Sequence, residues 1–350
     1  MGTNKAWLDQ VEEAALEPDL PICDAHHHLW GNRHGAIEPR YMLDELFLDL
    51  GTGHNIVSTV FVEAKTAYRA DGPAHLKSVG EIEFINGLAA LAASELYGKT
   101  RVAAGIIGHT DLTRGAATGE VLDAMIAAAP ARFRGVRHSA NWDADSAVMD
   151  FRKGPPGLQM SEAYRAGVRE LAKRNLIFEA WCFHTQIPEL TDLARAIPDV
   201  RIVLNHAGGP IGVGEAYAGH RAEILTQWKG YMAELATCPN VTMKLGGLFM
   251  PMNGHDWHKR PMPPTSDELA AAAQPYLDYL IETFGVDRCM FESNFPVEKV
   301  SCSYGVLWNA YKKIAKGCSA EEKARLFHDS AVAAYRVESP YGSRASADAE

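Results

Sequence analysis

Two kinds of hydrophobic pattern alternate along the whole chain. Short runs rich in β-branched and aromatic residues recur at Leu20–Leu29, Asn55–Ala64, Val102–His109, Phe133–Ser139, Leu176–His184, Val200–His206, Asn240–Leu245 and Cys289–Asn294. Each is bounded by turn or polar residues and is short enough to be a strand buried on both faces, as parallel strands are. Between them lie longer stretches with apolar residues at helical spacing, among them Leu76–Tyr97, Thr118–Ala129, Met160–Arg174, His220–Thr237 and Ser266–Thr283. Two further helical patterns, Tyr304–Ala315 and Ala320–Tyr335, follow the last strand. Such alternation specifies a parallel α/β fold. A doubly wound sheet would carry a glycine-rich phosphate loop after the first strand, where this chain reads DAHHHLWG. The pattern therefore predicts a (β/α)8 TIM barrel with one extra C-terminal helix.

No Pro/Ser-rich linker or low-complexity tract interrupts the pattern, so residues 1–350 are expected to form one domain, with its core over about 20–338. Phe249–Thr265, rich in Pro, Met, Gly and His, reads as a long loop over the active face, and the polar tail beyond Ser339 is expected to fray.

Composition narrows the partners. With 47% hydrophobic and 22% charged residues, the chain is an ordinary soluble protein with ample core. A net charge of −10 without a basic run argues against nucleic acid and anionic membrane, leaving a small-molecule substrate. Six cysteines without CxxC spacing, and an N-terminus without a basic and then apolar segment, predict a cytoplasmic protein with reduced thiols. No apolar run approaches a membrane span. Exposed barrel helices often pair, which leaves a homo-oligomer open.

In a barrel, reactive side chains sit at the C-terminal strand ends and in the loops that follow. The first strand ends in Asp24-Ala25-His26-His27-His28, and alternation puts His26 and His28 on one face and His27 on the other. Two imidazoles facing one mouth form half of a metal or acid–base site; a run of loop histidines is the bland alternative. His184 and His206 end the fifth and sixth strands. Three strand ends converging on histidine favour function over three coincidental core residues. Cys182 reads as a small core hydrophobe rather than a nucleophile.

Strand eight ends Glu292-Ser293-Asn294, and alternation places Glu292 and Asn294 together, facing inward. A carboxylate this deep needs a partner, for which Lys244 and Arg137 are the candidates. A structural ion pair and a functional one fit equally well, and Glu63 carries the same ambiguity. Arg137, His138 and Lys244 also suit an anionic substrate or a polarised lactone carbonyl. Trp257 and His258, in His255-Asp256-Trp257-His258, could cap the substrate or simply belong to an exposed loop. His34, His109 and His328 are weaker candidates.

DAHHHLW, FRGVRHS, VLNHAGGP, KLGG and FESNFP, in this order, resemble the amidohydrolase-related (amidohydrolase 2) family over about Pro21 to Tyr335. That family includes lactonases such as L-fuconolactonase and 2-pyrone-4,6-dicarboxylate lactonase, and metal-dependent decarboxylases. The resemblance implies a distorted TIM barrel, with His26 and His28 as the family's HxH and His184 and His206 as its histidines on strands five and six. One position departs. Where the family has Asp at the end of strand eight this chain has Asn294, and an amide cannot act as a general base. His206, His184, Glu63 and Glu292 are available in its place, with His206 preferred for assisting water attack.

The resemblance implies hydrolysis of a lactone or related cyclic ester of an anionic or sugar-derived substrate. His26, His28, His184, His206 and Asn294 make up the catalytic group, with Arg137, His138, Lys244, Glu63, Trp257 and His258 about the substrate. A divalent metal, zinc first, would be held by His26, His28 and His184; the loss of the Asp keeps a metal-free site open. A non-oxidative decarboxylase and a non-catalytic anion-binding barrel are the alternatives.

Overall fold

All eight buried runs form parallel strands: β1 Ile22–His27, β2 Ile56–Val62, β3 Arg101–Gly108, β4 Phe133–Arg137, β5 Ile177–Ala180, β6 Arg201–Leu204, β7 Val241–Leu245 and β8 Cys289–Phe291. They pair in sequence order from β1 to β8. The computed structural model describes residues 4–33, 35–36, 38–148 and 154–338; His34, the tail beyond Ser339 and parts of the loops around residues 33–40 and 141–157 lie outside them. Strands β5, β6 and β8 are shorter than the apolar runs predict. The chain leaves the sheet before His184, His206 and Asn294, so those three side chains sit in turns and not on pleats.

The segment after β8 draws the ring together. Phe295 bridges His27 in parallel register, the Asn294 N–H donates to the His26 carbonyl at 2.8 Å, and the His28 N–H donates to the Phe295 carbonyl at 2.8 Å. Buried Asp24 anchors the same seam. Its carboxylate accepts from the Ser293 N–H and Oγ and from the Tyr304 hydroxyl. The result is a nearly closed (β/α)8 barrel.

Around it run α1 Leu43–Leu50, α2 Val79–Ala92, α3 Thr118–Ala128, α4 Glu162–Lys173, α5 Ile187–Ala196, α6 Arg221–Ala236, α7 Ser266–Phe284 and α8 Tyr304–Ile314. The pattern does not single out α1 and α5. At eight and ten residues they offer too few periods, although each buries an apolar stripe such as Ile187, Leu190, Leu193 and Ala194. Local chemistry sets the start of two longer helices. Ser161 caps α4 by accepting from the Tyr164 N–H, and Thr265 with Glu268 forms a capping box on α7.

The predicted C-terminal helix is present but interrupted, with a π-helical stretch Arg325–Asp329 between Ala320–Ala324 and Ser330–Tyr335. Its Ala331, Val332 and Tyr335, with Val337, pack against Cys23, Ala25, Val60, Val62 and Met290 and plug the barrel interior. The six cysteines are unpaired, and burial pushes the Cys182 thiol up to about 12, in keeping with a packing role. Among the described residues no helix is long and apolar enough to cross a membrane.

Candidate active site

His26 and His28 lie side by side at the end of β1, their Nε2 atoms 3.2 Å apart. Nδ1 of His28 faces the Val62 carbonyl at 2.7 Å, and a carbonyl only accepts, so that nitrogen carries the proton. On the other side of His26, Nδ1 lies 2.7 Å from Glu292 Oε2. Burial, the positive charge of Lys244 and the neighbouring His206 hold His26 well below its usual titration range, so its ring bears a single N–H.

Glu292 is the hub. Its Oε1 accepts from the His206 backbone N–H at 2.9 Å and from Nδ1 of the same residue at 2.7 Å. Its Oε2 is shut from solvent and makes no well-directed hydrogen bond among the described residues, despite the nearness of His26. Burial alone would raise this carboxyl, but the charge and hydrogen bond of His206, with Lys244 nearby, outweigh it and hold it below the usual carboxylate range. His206 itself is lowered, chiefly by burial, although Glu292 pulls the other way. A backbone φ of 56° at His206 turns its ring onto Glu292, and Gly247 makes room; a Cβ there would stand 2.3 Å from the His206 Cβ.

A buried ionic chain surrounds the histidines. Arg137 donates to Glu63 Oε1 at 2.9 Å and to Asn205 Oδ1 at 3.1 Å, and its Nη1 lies 3.4 Å from His26 Nε2. Asn205 passes the chain to Glu179 at 2.8 Å, which also receives Lys244 and, on its other oxygen, the Tyr335 hydroxyl at 2.9 Å. Lys244 Nζ stands 3.2 Å from His26 Nδ1 and 3.9 Å from Glu292 Oε2. Of the two predicted partners of Glu292, Lys244 stands nearby, whereas Arg137 pairs with Glu63, and the closest contacts of Glu292 are histidines. Three carboxylates, Glu63, Glu179 and Glu292, face two cations, Arg137 and Lys244.

Two members of this chain, Glu179 and Asn205, are absent from the sequence-based list. Glu179 carried a signal, a lone carboxylate inside the apolar run Leu176–Ala180. Asn205 carried none beyond adjacency to His206.

The expectation that Asn294 shares an inward face with Glu292 is not met. β8 ends at Phe291, and Asn294 adopts a φ of 54°, so strand alternation no longer applies. Its amide instead faces Glu298 Oε1 at 3.4 Å, a carboxyl that burial pushes up to about 8. The carboxylate at the centre comes from Glu292, two residues earlier.

His184 lies in the turn after β5. Its Nδ1 accepts from the Ile211 N–H at 3.3 Å, which puts its proton on Nε2, a buried atom with no hydrogen-bond partner among the described residues. Burial depresses its titration to about 4. His138 follows the end of β4 on the opposite face from Arg137. There its ring accepts from the Leu112 N–H and packs on His109 and Tyr164. In the loop after β7, Trp257 stacks on His255 and Arg260, while His258 is exposed. His109 and His328 lie beside Arg137 and Asp329 respectively.

Among the described residues, the set of metal-ligand atoms that converges within 4.8 Å is His26, His206 and Glu292. It differs from the expected His26, His28 and His184: Glu292 and His206 replace the latter two, because the turns after β6 and β8 carry them inward. Two imidazoles and a carboxylate suit zinc or a similar divalent ion. The buried Glu292 Oε2, without a hydrogen-bond partner among the described residues, fits a cation there.

A barrel with a histidine–carboxylate cluster at the C-terminal ends of its strands defines an enzyme-type α/β-barrel scaffold. More specifically, the chain belongs to the amidohydrolase family, whose model matches residues 23–337. It is 32% identical over 337 residues to the uncharacterized protein y4mH of Sinorhizobium fredii, covering 91% of this chain and 99% of that protein. It is 26% identical over 335 residues to an L-fucono-1,5-lactonase of Burkholderia ambifaria, covering 91% and 97% of the two chains. Among solved structures, an amidohydrolase from Burkholderia multivorans with bound zinc shares the fold at a TM-score of 0.70, with 22% identity over 91% of this chain and 99% of that one.

Proposed function

We propose that the protein is a hydrolase that opens a lactone or related cyclic ester. The observation that carries this reading is Glu292. It is a buried, ionised carboxylate held on one oxygen by His206, with its other oxygen turned toward His26 and open to a further partner. The B. ambifaria lactonase, matched over nearly the whole chain, gives the same direction.

In this reading Glu292 Oε2 accepts the proton of the attacking water, the task Asn294 cannot perform. His206 keeps the carboxylate oriented through Oε1. As the tetrahedral oxyanion forms at the former carbonyl, Arg137 and Lys244 stabilise it, because both are fixed before the reaction by Glu63, Asn205 and Glu179. The Nε2–H of His184 is free to hydrogen-bond the substrate or the departing alkoxide. The proton taken by Glu292 then returns to that alkoxide, giving a hydroxy acid. His26, His206 and Glu292 are the residues that would hold a divalent cation, which when bound polarises the carbonyl and acidifies water.

Sugar lactones and aromatic lactones assayed by acid release in a pH-stat form the direct test. Glu292→Gln is expected to lower kcat about 10²- to 10⁴-fold, the usual range for a lost proton acceptor, with the fold intact by circular dichroism. Activity within twofold of wild type, or release of CO₂ from an aromatic carboxylate in place of lactone opening, would defeat the proposal.

A further inference from the structure

The proposed reaction centre is shut from solvent: His26, Lys244 and Glu292 are fully buried, and His28, Arg137 and His206 are at most 3% exposed. A substrate reaches them only when a segment over the barrel mouth moves. Side chains that follow β4, β5, β6 and β7 form an apolar roof there. Val148, Trp181, Phe183, Ile211 and Met250 pack together, with Tyr217 against them. Trp181 meets the ring of His206 edge-on at 4.6 Å, and Tyr217 meets that of His184 at 5.7 Å. Residues 210–219, the loop after β6, carry no helix or strand, and Glu215, Ala216, Ala218 and Gly219 are exposed. The stem of this loop is fixed. Gly212 N–H donates to the Met252 carbonyl at 2.8 Å, and a Cβ on Gly212 would stand 2.2 Å from the Asn253 carbonyl oxygen. The tip is a turn of its own, in which the Ala218 N–H donates to the Gly214 carbonyl at 2.9 Å. Two hydrogen bonds tie it to the loop after β4: the Tyr217 hydroxyl donates to Asp143 Oδ2 at 2.6 Å, and the Glu215 N–H donates to Asp145 Oδ2 at 2.8 Å. Gly214 and Gly219 bound the tip at φ of 90° and 83°, values that glycine adopts freely.

We infer that residues 214–219 are a gate over the reaction centre, latched shut by Tyr217 on Asp143 and by Glu215 on Asp145, and hinged at Gly214 and Gly219. The gate rests on the reading of His26, His206 and Glu292 as that centre. Opening breaks two hydrogen bonds whose groups water then satisfies, and it leaves the contact between the stem and the loop after β7 in place. A cavity of about 250 Å³, lined in part by Ile211, Tyr217 and Gly219, lies against the same turn and gives it room to move. As the turn swings, the Tyr217 ring withdraws from His184 and opens a way beside Trp181 to His206. Closing returns the ring and expels water, which strengthens every electrostatic interaction of Glu292, Arg137 and Lys244 with a bound substrate.

A reversible crosslink tests this, because a Cβ on Gly214 would stand 3.1 Å from Asp145 Cγ, within reach of a disulfide. The readout is carbethoxylation of His184 by diethyl pyrocarbonate in the full-length protein, mapped by peptide mass spectrometry, with exposed His258 as internal control. In oxidised Asp145→Cys/Gly214→Cys, His184 is expected to react at least about tenfold more slowly than in the reduced form of the same variant. Strain from a side chain at Gly214 is common to both forms, so their comparison isolates the crosslink. Tyr217→Phe, which unfastens the latch without touching the backbone, is expected to speed the His184 reaction at least about threefold over wild type. A His184 rate that is the same in the oxidised and reduced forms, or unchanged by Tyr217→Phe, would overturn the gate. A His184 rate that follows the latch in a protein that opens no lactone would defeat the hydrolase reading alone. Lactone turnover as fast in the oxidised form as in the reduced one would defeat the gate alone.

Discussion

At the scale of single residues, the exchange of roles between Glu292 and Asn294 governs the chemistry. A carboxylate is available at the centre because Glu292 follows directly on β8 and reaches His206, whereas Asn294 turns back toward Glu298. Asn294→Asp would therefore not restore a family-like acid. It would set a carboxylate against Glu298, whose carboxyl already titrates at about 8, and the expected outcome is a lower melting temperature with no gain in kcat. Arg137→Ala is a second residue-scale test, since it removes the guanidinium that donates to buried Glu63 at 2.9 Å. Removing one partner of such a pair costs about 3–5 kcal/mol, read as a shift in urea midpoint at unchanged m-value.

At the scale of elements, close approaches decide which segments tolerate change. Gly167 in α4 faces the turn that follows Asp111, and a Cβ there would stand 2.1 Å from the Leu112 carbonyl oxygen. Alanine normally favours a helix over glycine by about 1 kcal/mol. Here the clash with backbone reverses the sign, and Gly167→Ala is expected to destabilise by about 1–3 kcal/mol in chemical denaturation. The C-terminal segment is equally tied to the site. Through Tyr335 it reaches Glu179 from inside the barrel, so the plug below and the ionic chain above form one unit.

Across the whole molecule, buried neutral histidines dominate the response to acid. Burial lowers His27, His54, His138, His184 and His255 to about 4, below the ordinary 6.5. Between those values the unfolded chain binds more protons than the folded one. Their stabilising contribution is therefore full above pH 6.5 and is lost as pH falls toward 4. Asp24, raised to about 6, and Glu298, raised to about 8, act with the opposite sign. They contribute stability at low pH that is lost as pH rises through those values. The melting temperature is expected to peak near pH 6.5, fall steeply toward pH 4 and decline more gently toward pH 8. A profile rising steadily from pH 6.5 down to 4 would contradict this. Zinc binding acts on the same scale: at a hundredfold excess over its Kd it would add about 2.7 kcal/mol, and His26→Ala should abolish that shift.

The order of buried runs along the chain was sufficient for the architecture, because eight apolar segments separated by amphipathic ones have few ways to bury both faces. His26, His28, Arg137 and Lys244 were legible for the same reason: a polar side chain at the mouth end of a buried strand has nowhere else to point. Beyond the strand ends that logic stops. The turns at His206 and Asn294 take positive φ, and only the packed backbone around Gly247 and the β1–β8 seam determines where those side chains go. Period-two alternation therefore paired Glu292 with Asn294, and the structure paired it with His206 and His26. The sequence by itself determined the barrel and the kinds of group available. Which carboxylate meets which histidine was decided by tertiary structure, since it depends on backbone turns held by contacts between segments hundreds of residues apart.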